Sequence, residues 1–201
     1  MKDSSQTDRI RHIAAELFAA KGYNGVGVAE LGDAIGLGRG ALYHHIGSKE
    51  DLLYDIASRY IADLVESGRQ ITAKYPDPIA RIRQLSSHLM HAVGQHQAEM
   101  TVCFREVDTL SGEHHTNVSR LHAEYEQIWV DAVAAGVATG VFRKIKTEKI
   151  AIKGLLGMYF YSFLWLDPNG RHSPSAIGDV FSDLFVRAFA TEKSLAAGAK
   201  A

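Results

Sequence analysis

The chain is nearly without cysteine. Cys103 is the only one in 201 residues, which excludes an intrachain disulfide framework. No apolar run approaches the ~18 residues that a membrane-crossing helix requires. The opening stretch, residues 1–12, is polar and lacks the apolar core of a secretory leader. These absences set the expectation of a cytoplasmic protein with no membrane partner. A basic surplus is missing too: 22 Lys and Arg stand against 23 Asp and Glu, a formal net charge of −1. Residues 1–60 hold seven basic and eight acidic side chains, leaving 15 of each in the rest. A protein that grips nucleic acid regardless of sequence shows a basic excess, and this chain has none. The hydrophobic share of 46% and charged share of 22% are ordinary for a globular chain, and the length allows one or two domains.

What the chain does have is a distinctive stretch from Gly22 to Leu53. Val28, Leu31 and Ile35 recur at i, i+3 and i+7, one face of a short helix. Gly36 stands where that helix must stop, as a residue able to take positive φ. Leu37 can plug the turn, and Arg39–Ile46 reads as a second helix with Leu42 and Ile46 inward. Two short helices around a glycine turn make a helix-turn-helix. Its outward set, Arg39, Tyr43, His44 and His45, suits nucleic acid better than catalysis. Ser48, with Asp51 three residues on, reads as the cap of a following helix.

This segment resembles the N-terminal domain of TetR/AcrR-type transcriptional regulators. The match comprises Gly22-Tyr23, the turn at Gly36, Gly40-Ala41-Leu42-Tyr43-His44-His45, Ser48-Lys49-Glu50 and Leu52-Leu53. Three positions depart from the family pattern. Gly27 and Gly38 stand where Ser or Thr commonly caps each short helix, and Ile46 replaces the usual Phe. Glycine remains an acceptable N-cap, so the changes bear on affinity rather than fold. The DNA-contacting set expected from the motif and the resemblance is Val28, Gly38, Arg39, Gly40, Tyr43, His44, His45 and Lys49. Arg39 is the best base reader, since its fork can pair with guanine O6 and N7. Tyr43, His44 and Lys49 suit phosphates, and the start of the Lys49 helix adds backbone amides.

Helical periodicity continues with no competing strand pattern, so the expected fold class is all-α. A helix-turn-helix DNA-binding domain over 1–53 precedes a helical effector-binding and dimerisation domain over 54–195. Ile10, Ile13, Ala14, Leu17 and Phe18 mark a helix packed beneath the motif. The stripe from Leu52 to Val65 outruns three small helices, so that helix should connect the domains. Later segments read as 79–96, 99–110, 113–136, 148–166 and 174–191, then a small Ala/Gly/Lys tail. Tyr75-Pro76-Asp77-Pro78, the glycines at 136 and 140, and Asp167-Pro168-Asn169-Gly170 separate several of them. Ser173 followed by Pro174 is a good helix start.

The last two helices are apolar over wide faces: Leu155 to Trp165 on one, and Ile177, Val180, Phe181, Leu184, Phe185 and Phe189 on the other. Such faces must be buried, and the resemblance implies a homodimer formed through them as a four-helix bundle. Met90, Met100, Phe104, Tyr125, Trp129, Tyr159 and Phe163 fill a core by periodicity alone. The resemblance instead implies an effector pocket, with Met90, His91, Phe104, Arg105, Tyr125, Trp129, Tyr159 and Phe163 as its expected lining. The segment Trp165–Gly170 with Ser173-Pro174 resembles a subgroup that governs lipid and sterol breakdown and responds to acyl-CoA-type ligands.

Other constellations carry less. His88 and His91 share a helix face, but no further ligands stand at metal-site spacing. Gly36-Leu37-Gly38-Arg39-Gly40 follows a helix rather than the strand that a phosphate loop needs. No nucleophile–base order or carboxylate pair stands out, so no enzyme, cofactor or metal is expected. The expected function is a ligand-responsive regulator, a repressor on a palindromic duplex operator, released by a small hydrophobic effector. The alternatives are a helical enzyme or a protein-interaction module without DNA binding.

Overall fold

Among the residues described by the computed structural model, 2–144, 146–167 and 169–198, almost every segment is helical. The helices are α1 (Lys2–Lys21), α2 (Val28–Ile35), α3 (Arg39–Ile46), α4 (Lys49–Lys74), α5 (Pro78–Gln95), α6 (Gln97–Arg105), α7 (Gly112–Ala138), α8 (Glu148–Tyr161), α9 (Pro174–Phe189) and α10 (Glu192–Gly198). Extended pairing in this range is confined to one antiparallel bridge between Phe142 and Ala190. The all-α class is as expected. Three segments differ from the periodicity, among them the stretch read as 148–166, where α8 stops at Tyr161 and a 3₁₀ turn follows over Ser162–Leu164. α6 stops at Arg105 and a 3₁₀ turn follows over Val107–Thr109, and α10 occupies part of the stretch read as a tail. Pro168, part of the loop that separates the last helices, lies outside the described residues. Among the described residues, no helix is long and apolar enough to cross a membrane.

The chain forms two compact units, Met1–Asp63 with His96–His122, and Leu64–Gln95 with Ala123–Ala201. The division falls within α4 and within α7, so the first packing unit takes in more chain than the helix-turn-helix itself.

In the first unit, Ile10, Ala14 and Phe18 of α1 are buried with Leu31 and Ile35 of α2, Leu42 of α3, and Leu53, Ile56 and Ala57 of α4. α6 packs along α1 and adds Val102 and Cys103. Each such aliphatic side chain contributes ~1.5–3 kcal/mol on burial. The unit also buries a charge. Arg11 Nε donates to Asp55 Oδ2 at 2.7 Å and its Nη1 to Asp8 Oδ1 at 2.9 Å, while Arg59 Nε donates to Asp55 Oδ1 at 2.7 Å. Burial opposes the Asp55 carboxylate, and the two guanidiniums more than offset it, holding its pKa below the ordinary value.

The second unit is organised by α5 against α9. Gly178 of α9 is buried, and a Cβ there would stand 3.0 Å from the Ser86 carbonyl oxygen, so the two backbones approach closely. The Tyr159 hydroxyl donates to Ser86 Oγ at 2.7 Å, and Ser86 Oγ donates to the Gly178 carbonyl at 2.5 Å. This relay ties α8 to α5 and α9 with every hydroxyl satisfied. Around it, Trp129 stacks at a tilt on Tyr159 with centroids 5.6 Å apart, and Phe181 meets Tyr159 edge-on at 5.3 Å. Ser173 caps α9, its Oγ accepting from Ala176 N at 3.2 Å, with Pro174 at the first helical position as the sequence suggested.

The Arg11–Asp55 pair yields a prediction. Asp55→Asn should lower unfolding stability at pH 7 by about 1–2 kcal/mol, a buried-pair loss discounted for partial exposure. Because the folded pKa lies below the unfolded one, this stability is complete above the unfolded carboxylate value. It disappears as pH falls through the folded value. Urea melts of both proteins from pH 7 to pH 2 should therefore converge at the acid end, and a constant gap would contradict the assignment.

Candidate nucleic-acid interface and effector region

The motif is built on one turn. Gly36 closes α2 in the left-handed conformation, φ 77° and ψ 31°. Its N–H bonds the Asp33 carbonyl at 3.2 Å, and the Leu37 N–H reaches back to the Gly32 carbonyl at 2.9 Å. These two bonds are a Schellman closure. A Cβ on Gly32 would lie 2.7 Å from the Leu37 oxygen, so the tight return needs glycine at both ends. Periodicity pointed to Gly36 and missed Gly32, because its constraint comes from a carbonyl five residues away. Gly27 and Gly38 start α2 and α3 in extended conformation without any side-chain cap, as their lack of a hydroxyl implied.

α3 buries Leu42 and Ile46 and exposes Gly38, Arg39, Gly40 and His44, with Tyr43 and His45 half-buried. Arg39 lies over the Tyr43 ring at 5.7 Å, which steadies a long side chain without neutralising it. Val28 is half-buried at the head of α2. Three acids near the motif are held by local partners: Glu30 pairs with Lys21, Asp51 binds Ser48, and Asp55 binds the two arginines.

Lys49 is placed differently from a plain phosphate ligand. Its Nζ donates to the Tyr23 carbonyl at 2.6 Å and sits 4.0 Å from the Tyr23 ring centroid. Burial lowers its pKa, with the Glu106 charge opposing. Ser48 accepts from Asp51 N at 3.0 Å and donates to the Asp51 carboxylate at 2.7 Å, a capping box in which the carboxylate bonds the hydroxyl rather than the backbone. One residue on, Glu50 Oε1 accepts from Ser111 N at 2.9 Å and from Ser111 Oγ at 2.8 Å. His114 stacks on Tyr54 at 4.1 Å, and Asn117 Nδ2 donates to the Tyr54 hydroxyl at 2.6 Å. These long-range pairs fasten the first turns of α4 to the start of α7 within the first unit. No sequence periodicity announces them, and His114 turns out to belong to the first turn of α7.

Of the expected effector lining, Met90, Tyr125, Trp129, Tyr159 and Phe163 are buried in the second unit, the first four at 2% exposure or less. His91 is exposed on α5 and lines a cleft of about 430 Å³ in the same unit. Phe104, 51% exposed, and Arg105 belong to the first unit. Trp129 is wholly buried, and its indole N–H makes no hydrogen bond of ordinary geometry, although the Tyr125 hydroxyl is near enough to feel it. A second cleft of about 450 Å³ lies between α4 and α7, spanned by an Arg69–Glu124 ion pair at 3.1 Å.

Arg39→Ala should cost ~1–3 kcal/mol in operator binding and relax base preference at one position. Lys49→Ala should weaken every duplex alike and also lower the melting midpoint, since it removes the clasp on Tyr23. Gly38→Ser, where a Cβ meets nothing within 4 Å, should raise stability by roughly a few tenths of a kcal/mol by supplying the missing cap. Calorimetry alongside titration of the upstream duplex checks all three, and an unchanged operator profile for Arg39→Ala would remove α3 from the interface.

Residues 10–56 match the family model for bacterial regulatory proteins of the tetR family, and residues 75–189 match the tetracyclin repressor-like C-terminal domain. The chain is 30% identical over 168 residues to the HTH-type transcriptional repressor KstR2 of Rhodococcus jostii, covering 83% of this chain and 82% of that protein. The structure of the ketosteroid transcriptional regulator KstR2 of Mycobacterium tuberculosis superposes with a TM-score of 0.86 at 21% identity over 96% of each chain. AibR, solved with isovaleryl coenzyme A and operator DNA, superposes with a TM-score of 0.80 at 24% identity, over 89% of this chain and 97% of AibR. With both family models matched in order, this chain belongs to the tetR family of transcriptional regulators, rather than to an enzyme family.

Proposed function

We propose that this regulator is a repressor that binds a two-fold symmetric operator as a homodimer and is released by a small hydrophobic effector, an acyl-CoA thioester being the favoured class. The observation that carries the dimer is an uncovered apolar face on the last long helices. Met158 and Tyr161 at the end of α8, Leu164 and Trp165 just beyond it, and Val180 and Leu184 of α9 are each between 37% and 61% exposed. A face of this kind is rare on a lone soluble chain and marks an interaction surface. A two-fold partner suits a helix-turn-helix, whose recognition helices then enter successive major grooves ~34–36 Å apart.

Support for the effector comes from the polar groups in the apolar heart of the second unit. The Trp129 N–H, buried beside the Tyr125 hydroxyl, is a donor in apolar surroundings that a ligand carbonyl would engage. AibR in complex with isovaleryl coenzyme A offers acyl-thioester chemistry as precedent on this fold, and the KstR2 description as a ketosteroid regulator points to a hydrophobic class. In this reading the effector opens the core around Trp129 and Tyr159 and displaces α4, the helix that follows the recognition helix. It must prefer the non-binding arrangement, since equal affinity for both would shift nothing.

The interface test follows from exposure. Phe185 is buried at 4% against Phe142 and Phe189, so charging it would damage the subunit itself. Leu184, 54% exposed, is the informative position. Leu184→Glu should give a folded monomer by sedimentation, with operator affinity reduced at least about tenfold. A monomeric wild type at micromolar concentration, or full operator binding by the monomeric variant, would contradict the dimer.

A further inference from the structure

The second unit carries a feature that its apolar core does not explain. The cleft of about 430 Å³ lies among the last turns of α4, one face of α5 and the first turn of α9. Lys74 enters it from α4, His88 and His91 from successive turns of α5, and Ser87, Gln70 and Ser175 add hydroxyl and amide groups. No carboxylate lines it. The contrast with the rest of the unit is informative: Arg69, Arg83, Lys153 and Arg187 each face an acid within 4.0 Å. Lys74 has none among the described residues; its ammonium stands 5.3 Å from the Tyr75 ring. His88 and His91 have no acidic partner in that range either. Three positively charged or protonatable donors therefore converge on a solvent-open concavity with nothing of opposite sign.

Its volume falls within the ~300–1,000 Å³ of ordinary ligand sites, and Ile71, the Tyr75 ring and side-chain stems give it apolar surface beside the polar groups. A lining with several donors and no acid suits a ligand that carries a negative charge as well as carbon. Burial, reinforced by the neighbouring His91, holds His88 below the ordinary imidazole range. An anion lying beside it would reverse that preference and draw a proton onto the ring.

We propose that this cleft binds the anionic end, phosphate or carboxylate, of a small organic ligand, with Lys74 as the fixed charge and His88 and His91 as hydrogen-bond donors. Its regulatory meaning rests on the effector reading above; its chemistry does not.

The test is calorimetric titration of the DNA-free, full-length protein with coenzyme A, with hexanoate and with neutral hexan-1-ol. At least one of the two anions should bind and the alcohol should not, and which anion binds tells phosphate from carboxylate recognition. Lys74→Gln and His91→Gln should each weaken that binding by about tenfold, as expected for loss of one charge-assisted contact. Failure of both anions to bind, or binding that survives in the Lys74→Gln/His91→Gln double variant, overturns the proposal. Operator release is read separately by titrating the protein–duplex complex. Anion binding that depends on Lys74 but leaves the duplex bound upholds the anion site and removes it from the effector mechanism.

Discussion

The arrangement of the DNA-facing unit depends on how α4 begins. Ser48 takes the Asp51 amide, Lys49 closes onto the Tyr23 carbonyl, and Glu50 takes two bonds from Ser111. Three consecutive residues thus tie the end of the recognition helix to the chain before α2 and to the residue just before α7. A shift of α4 along its axis would break at least one of these, and a partly buried lysine without its acceptor costs more than the surface value of a hydrogen bond. The start of α4 is therefore a place where a change elsewhere along that helix acquires an energetic consequence for α3.

Charge economy shapes the same region. With acids and bases nearly balanced, Arg39 stands as a cation on α3 held by an aromatic ring rather than by a carboxylate. Each phosphate neutralised adds about 0.9 to the salt slope. A surface with few such cations gives a shallow salt dependence and little hold on random DNA. In the proposed dimer, specificity would then rest on the two-fold pairing of sites.

Much of this was legible in the sequence, because the helix-turn-helix is a local device. Its apolar spacing and its glycine stop all lie within a few residues, so periodicity and residue type suffice. The capping serine of α4 and the Ser173-Pro174 start of α9 were visible for the same reason. The Lys49 clasp, the Tyr54–His114 stack and the Tyr159–Ser86–Gly178 relay were not, since each joins residues far apart in the chain and nothing in either partner's neighbourhood signals the other. The effector lining shows the limit most clearly. Phe104 and Trp129 both sit in helical stripes, yet one is half-exposed in the first unit and the other is sealed in the second. The wide stripe of α9 likewise gave no means to tell Phe185, which faces inward, from Leu184, which faces out.

The proposed function requires one chain to couple an operator-reading dimer to a small acyl-type ligand. Sedimentation velocity of the protein with a labelled duplex from its own upstream region, with and without an isovaleryl-, medium-chain or steroid-acyl coenzyme A thioester, addresses it in one experiment. The account predicts a complex with the mass of a dimer, or of two dimers, on the duplex, dissolved by at least one of the thioesters. A complex that contains a single subunit, or one that persists unchanged with all of them at saturating concentration, would contradict it.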